Sequence, residues 1–282
     1  MHVFAVVNQK GGVGKTTTSV NLAASLTAMH RRVLLIDLDA QGNATMGVGV
    51  DKHILERSIY DVFIDDLPAH DVITATSVAG LSLIGANSDL TGLELTMSEM
   101  PGRERRLREA LTALQHEFDV VLVDCPPALN LLTLNALVAA TGLLIPMQCE
   151  YYALEGLTAL LETQSRIKEH INPKLEIIGI LRTMVDMRNS LTKDVTAQLH
   201  EYFGDQVFRT MIPRNIRLAE APSHGLPALL YDAQSVGAKT YLALAGELIG
   251  RLSQARPASE RGDASASSEE QSMTSHNLTN EG

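Results

Sequence analysis

Ten residues, Gln9-Lys-Gly-Gly-Val-Gly-Lys-Thr-Thr-Thr18, limit what this chain can fold into more than any other stretch. Before them, Val3 to Val7 is a short apolar run of the kind that forms a buried strand. After them, Ser19 to Met29 has helical spacing. A glycine loop between a strand and a helix is a phosphate cradle, because backbone N–H groups can curl around phosphate oxygens and the helix N-terminus adds partial positive charge. In that geometry Gly11, Gly12, Val13, Gly14, Lys15, Thr16 and Thr17 surround the phosphates of a nucleotide. Lys15 reaches the β- and γ-phosphates, and the Thr16 hydroxyl ligates Mg2+. The loop departs from the general pattern G-x-x-x-x-G-K-[ST]. Gln9 stands where the first glycine belongs, and a second lysine, Lys10, lies inside the loop where phosphate charge is expected.

The rest of the chain supplies the sheet that such a loop needs. Short apolar runs at Arg32–Asp37, Leu81–Gly85, Asp119–Asp124, Gly142–Met147, Glu176–Leu181 and Val207–Ile212 read as strands. Helical patterns lie between them, at Arg103–Phe118 (with Leu107, Leu111 and Leu114 on one face), Leu157–Lys168 and Thr192–Phe203, and a last one at Val236–Leu252. Near-continuous Val/Ile/Leu strands alternating with helices predict an α/β fold, a mostly parallel, doubly wound sheet covered by helices on both faces. Ligands of such sheets bind at the carboxyl ends of the strands, where the glycine loop sits. With 282 residues, one domain of about 250 residues is accommodated. We expect a single P-loop domain over 1–254 and a disordered polar tail over 255–282, where large apolar residues almost vanish.

Two aspartate segments fit beside the cradle. Asp124 ends an apolar strand and precedes Cys125-Pro-Pro127. Such a strand end either places a carboxylate next to the Mg2+ on Thr16 or caps the following turn. Asp37 and Asp39 close another strand, and carboxylates at i and i+2 point the same way on extended backbone. Two acids beside a triphosphate repel it unless a cation or a reacting water lies between them. Asp37 is either a support near the metal or a loop cap.

The loop with its extra lysine resembles the deviant P-loop of the ParA/MinD group of ATPases. Thr183-Met-Val-Asp-Met-Arg188 and Ile212-Pro-Arg-Asn215-Ile-Arg217-Leu-Ala-Glu-Ala-Pro-Ser-His-Gly225 resemble the ParA/Soj branch, which partitions chromosomes and plasmids. The resemblance covers residues 1 to about 250. It implies an ATPase using ATP and Mg2+, with Lys10 crossing a homodimer interface to the partner's phosphates and Lys15 holding its own. It implies Asp39 as the residue that activates the attacking water near the metal, and Asp124 as a metal-side carboxylate. It makes Met184, Pro213 and Asn215 candidates for the adenine pocket, although Pro213 also reads as a strand end. It also matches Arg188 and Arg217 to arginines that hold DNA, although each also reads as a surface or salt-bridging residue. The implied partners are non-specific DNA and a ParB-type centromere-binding protein that stimulates hydrolysis. The implied setting is cytoplasmic, and nucleoid-associated in the ATP state.

Composition narrows these readings. Net charge is −10, which argues against a general nucleic-acid binder but leaves room for a few arginines on one edge. No helix-turn-helix pattern is found. No apolar run approaches the ~18 residues of a membrane span, and no signal peptide is read at the start. A MinD-like membrane ATPase needs a basic amphipathic C-terminal helix, whereas this chain carries Ser265-Ala-Ser-Ser-Glu-Glu270 there. Cys125 and Cys149 lack the CxxC form of iron–sulfur carriers. A ParA-like ATPase that positions another cellular cargo shares the same core and stays open as an alternative.

Overall fold

The computed structural model describes residues 1–151 and 153–255. A seven-stranded sheet is built from β1 (His2–Val6), β2 (Val33–Asp37), β3 (Thr74–Ala75), β4 (Leu81–Ile84), β5 (Val120–Asp124), β6 (Gly142–Gln148) and β7 (Glu176–Thr183). The order across the sheet is β3-β4-β2-β5-β1-β6-β7. All neighbours are parallel except the short β3, which runs antiparallel to β4. Every residue of β2 and of β5 is buried. Since consecutive strand residues face opposite sides, both faces of the central sheet are covered. Each fully buried Val, Leu or Ile side chain there contributes about 1.5–3 kcal/mol.

The connections explain where a ligand can sit. From β1 the chain passes through the helix Lys15–Ala28 and returns as β2, on the far side of β5. From β5 it passes through the helix Leu131–Ala139 and returns as β6, on the far side of β1. The two crossovers diverge, so the carboxyl ends of β1 and β5 flank a topological switch point. The helix Lys15–Ala28 buries Val20, Leu22, Ala23, Ala24 and Leu26. Its small residues let it pack closely on the strands that carry the acids.

One expected strand is absent. Val207–Ile212 makes a single isolated bridge, Val207 with Ile180, and the next residue, Pro213, bridges Val185. Phe208 N–H donates to Ile180 O at 3.0 Å and Ile212 N–H to Arg182 O at 2.9 Å. Four steps along this segment therefore face only two along β7, and the surplus breaks the ladder. The ring of Phe208 lies over Gly179, where a Cβ would stand 2.1 Å from its Cε2. The expected helix over 103–118 is regular only at Arg106–Thr112, with Leu107, Leu111 and Leu114 all buried. Met1–Ala245 folds as one compact unit, and residues 246–255, the end of the helix Val236–Ala255, belong to a second. The tail expected over 255–282 lies, beyond Ala255, outside the described residues.

Candidate nucleotide-binding site

The glycine loop leaves the end of β1 at the switch point. Gly12 and Gly14 have φ of +75° and +89°, the left-handed region that glycine enters without a Cβ penalty. Gly14 caps the helix Lys15–Ala28 with no side-chain partner, and Thr18 N–H donates to Gly14 O at 2.9 Å. A Cβ placed on Gly11 or Gly12 meets no atom within 4 Å. The backbone at Gly11 and Gly12 therefore borders open space rather than packed side chains. Val13 is buried beneath it, and its carbonyl accepts from Thr183 Oγ1 at 2.7 Å, which ties the loop to β7. Thr17 is half-buried in the first helical turn, and its carbonyl accepts from Asn21 Nδ2 at 2.8 Å.

Lys15 is buried, with Nζ 3.3 Å from Lys10 O. Burial holds its ammonium below the ordinary lysine value, and the nearby Asp124, Cys125 and Asp39 pull it back up. Thr16 Oγ1 donates to Asp124 Oδ2 at 2.7 Å, while Ser19 Oγ donates to Asp124 Oδ1 at 2.8 Å. Asp37 and Asp124 stand opposite one another in the register of β2 and β5. Burial raises the Asp124 carboxyl, and the charge of Asp37 raises it further. Asp37 is raised chiefly by burial, against bonds from Thr45 N–H, Asp39 N–H and Thr45 Oγ1. Those bonds, 2.9, 3.0 and 2.9 Å long, make Asp37 a clamp on the start of the helix Asn43–Gly47 and on the backbone of Asp39. This is the loop-cap arrangement considered from sequence. Asp39 itself is half-buried, and its Oδ1 accepts from Gln41 N–H at 3.0 Å.

This donor set suits Mg2+. Two buried, repelling carboxylates on adjacent strands favour a cation between them and the phosphates. A hydroxyl and one or two carboxylates are the usual protein share of a Mg2+ shell, the rest being phosphate and water. Among the described residues no group of three or more His, Cys, Asp or Glu could hold a metal alone. Both cysteines are buried and free, and burial pushes both thiols up.

Beyond the loop, the structure gathers residues that are distant in sequence. Lys10 Nζ forms an ion pair with Glu150, on the turn after β6. Gln148 Nε2 lies 3.3 Å from Gly12 O and 2.7 Å from Met184 Sδ. Met184 follows β7 with φ +50°, an unusual conformation for a residue with a side chain. The Val185–Pro213 bridge brings Pro213 to the same edge. Asn215 Oδ1 accepts from Arg217 N–H at 3.1 Å and caps the helix Ile216–Glu220. Arg188 pairs with Asp186, and Arg217 with Glu220 and Asp232. Sequence reading missed Ser19, Thr45, Gln148 and Glu150. Ser19 alone had a signal, standing three residues after Thr16 on the same helix face.

A glycine loop at the switch point of a doubly wound sheet, with acids from the ends of the next two strands beside it, defines a P-loop nucleotide hydrolase. The comparisons agree. An AAA domain family model matches residues 1–177. The sporulation initiation inhibitor protein Soj of Bacillus subtilis is 50% identical over 246 residues, covering 87% of this chain and 97% of that protein. The chromosome partitioning protein ParA of Caulobacter vibrioides is 47% identical over 253 residues, covering 89% and 95%. Among solved structures, cobyrinic acid a,c-diamide synthase of Mycobacterium smegmatis, with bound ATP analogue and magnesium, superposes with TM-score 0.79. It shares 37% identity, with 91% and 97% of the chains covered. The cell division ATPase MinD of Pyrococcus furiosus gives TM-score 0.74 at 26% identity, covering 88% and 98%. The chain belongs to the ParA/Soj family of chromosome-partitioning ATPases, and it is an ATPase whose nucleotide is ATP with Mg2+. No helix among the described residues is long and apolar enough to cross a membrane.

Proposed function

We propose that this ATPase is a two-state DNA-binding partition switch. Gly11 to Thr17 hold the triphosphate, with Lys15 on the β- and γ-phosphates. Thr16 and Asp124, with Asp39 nearby, hold Mg2+, which when bound neutralises charge on those phosphates. Met184, Pro213 and Asn215 border the base. Asp39, steadied by its backbone bond to Asp37, orients the attacking water. Lys10 leaves Glu150 and reaches the phosphate of a second copy, which makes the ATP form a sandwich dimer. That exchange is favourable: an exposed ion pair is worth about 0–1 kcal/mol, and a hydrogen bond from a charged group in a shielded site about 1.5–3 kcal/mol. The dimer doubles the edge that carries Arg188 and Arg217 and binds DNA without sequence preference. A ParB-type partner stimulates hydrolysis, the interfacial contact is lost, and the dimer leaves the DNA. The setting is the cytoplasm, with the ATP form on the nucleoid.

The observation that carries this reading is the Val185–Pro213 bridge. It joins the two segments bearing the arginines into one edge, beside the base-side residues and within reach of the nucleotide state. The test is DNA co-sedimentation of the purified chain at low and moderate salt, with ATP, ADP or no nucleotide. ATP-dependent, salt-sensitive, sequence-independent binding is expected. Absence of binding in every nucleotide state refutes the DNA mechanism and leaves the ATPase assignment intact.

A further inference from the structure

We infer that Arg214, an arginine outside the pair matched by resemblance, is the main DNA-phosphate contact of each subunit. This rests on the DNA-binding reading above. Val185 N–H donates to Ile212 O at 3.0 Å, and Val185 bridges Pro213 in parallel. The next residues along the two segments, Asp186 and Arg214, therefore lie side by side on the same edge as Arg188.

The three arginines of this edge differ in charge balance. Arg217 Nη1 donates to Glu220 Oε2 at 2.8 Å, and its Nε lies 3.3 Å from Asp232 Oδ2. One guanidinium thus faces two carboxylates, and the local sum is −1. Both acids are tethered: Glu220 also accepts from Tyr231 Oη at 3.3 Å, and Asp232 Oδ1 accepts from Gln234 N–H at 3.1 Å. Arg188 donates from Nε and Nη2 to the two oxygens of Asp186, at 2.9 and 2.7 Å, and that pair is neutral. Arg214 is exposed, and its side chain makes no ion pair or hydrogen bond among the described residues. Asp186 is one carboxylate beside two guanidiniums, so the cluster of Arg188, Asp186 and Arg214 keeps a local sum of +1. Arg214 also helps to hold Asp186 ionised, well below the ordinary aspartate range.

Of the three arginines on this edge, a phosphate meets net positive charge at the Arg188–Asp186–Arg214 cluster and not at Arg217. It can bind Arg214 without displacing anything. At Arg217 it must first displace two tethered carboxylates, one held by a charge-assisted hydrogen bond and the other by an ion pair. This arrangement lets a chain of net charge −10 present a local cation to DNA.

The experiment is a salt titration of the full chain with ATP against a random-sequence duplex, comparing wild type, Arg214→Ala, Arg214→Lys and Arg217→Ala. One phosphate per subunit, two per dimer, should lower the slope of log K against log salt by about 2 in Arg214→Ala and weaken binding about 10- to 100-fold near 0.1 M salt. Arg214→Lys should keep most of the affinity, and Arg217→Ala should lose less than Arg214→Ala. An unchanged thermal midpoint for Arg214→Ala would tie the loss to charge rather than folding. Wild-type binding by Arg214→Ala, or a loss confined to Arg217→Ala, overturns the assignment while the DNA reading stands. No binding by the wild-type chain overturns both.

Discussion

Gly11→Ala separates the demands of the fold from those of the nucleotide. Gly11 does not have a positive φ, and a Cβ there meets nothing within 4 Å. In the free protein the substitution removes unfolded-state entropy without strain and should stabilise by about 0.4–1 kcal/mol. For a domain of this size that raises the thermal midpoint by about 1–4 °C. Gly12→Ala is the contrasting control. At φ +75° an alanine costs about 1–2 kcal/mol, so its midpoint should fall although the space around it is equally open. If the loop cradles the phosphates, the new methyl group at position 11 takes up part of the open space beside its backbone and pushes phosphate oxygens off the backbone N–H groups. Losing two bonds to a charged ligand, at about 1.5–3 kcal/mol each, weakens binding by at least about 100-fold. Calorimetric ATP titration and thermal denaturation of the same samples read both halves. A Gly11→Ala protein that is as stable as wild type, or more so, and binds ATP normally would refute the claim that this backbone cradles the phosphates.

Two further outcomes test the acids. Asp39→Ala should keep ATP-dependent dimerisation, measured by sedimentation, yet lose turnover by about 100-fold or more, as expected for a positioned general base; normal hydrolysis would remove Asp39 from that role. The raised carboxyls of Asp37 and Asp124 set a sign for pH. A carboxyl whose folded value is raised favours the native state fully below the unfolded value, about 4, and loses that contribution as pH climbs through the folded value. In EDTA without nucleotide, Asp124→Asn should therefore gain thermal stability relative to wild type as pH rises from about 5 to about 8. A stability of Asp124→Asn relative to wild type that stays constant, or that falls as pH rises, would show that Asp124 is not held against ionisation.

The cradle was legible in the sequence because its parts are local. A strand, three glycines, Lys15 and Thr16 lie within the fifteen residues from His2 to Thr16, and their order alone dictates the backbone path. Asp124 was legible for a related reason: an apolar run that ends in an aspartate can put that side chain only at a strand's carboxyl end. The strand expected at 207–212 had the right composition and failed for a tertiary reason, since Phe208 fills the space over Gly179 and puts the segment out of step with β7. The helix Leu131–Ala139 gave no periodic signal because it is apolar nearly all round and largely buried. Gln148 and Glu150 meet the loop from 136 and 140 residues away, and no local pattern encodes such a contact.

The charge pattern shows the same division between what composition can state and what only geometry can. A net charge of −10 argues against a general nucleic-acid binder and leaves room for a local basic patch. It cannot say which cations keep their charge to themselves. Motif position singles out Arg188 and Arg217, yet both sit against carboxylates supplied by their own neighbourhood, Asp186 two residues away and Glu220 three residues away, with Asp232 added by the fold. Arg214 differs because the acid facing it across the Val185–Pro213 bridge, Asp186, is already paired with Arg188 of its own segment. A cation that is free only because its neighbour's acid is occupied is a property of pairing. It follows that Asp186→Asn should act through two arginines at once, freeing Arg188 and deepening the positive field at Arg214. If pairing governs this edge, that single neutralisation should strengthen DNA binding and steepen its salt dependence by about 2 for the dimer, one added charge per subunit. A variant with wild-type affinity and slope would mean that the charges on this edge do not face the DNA.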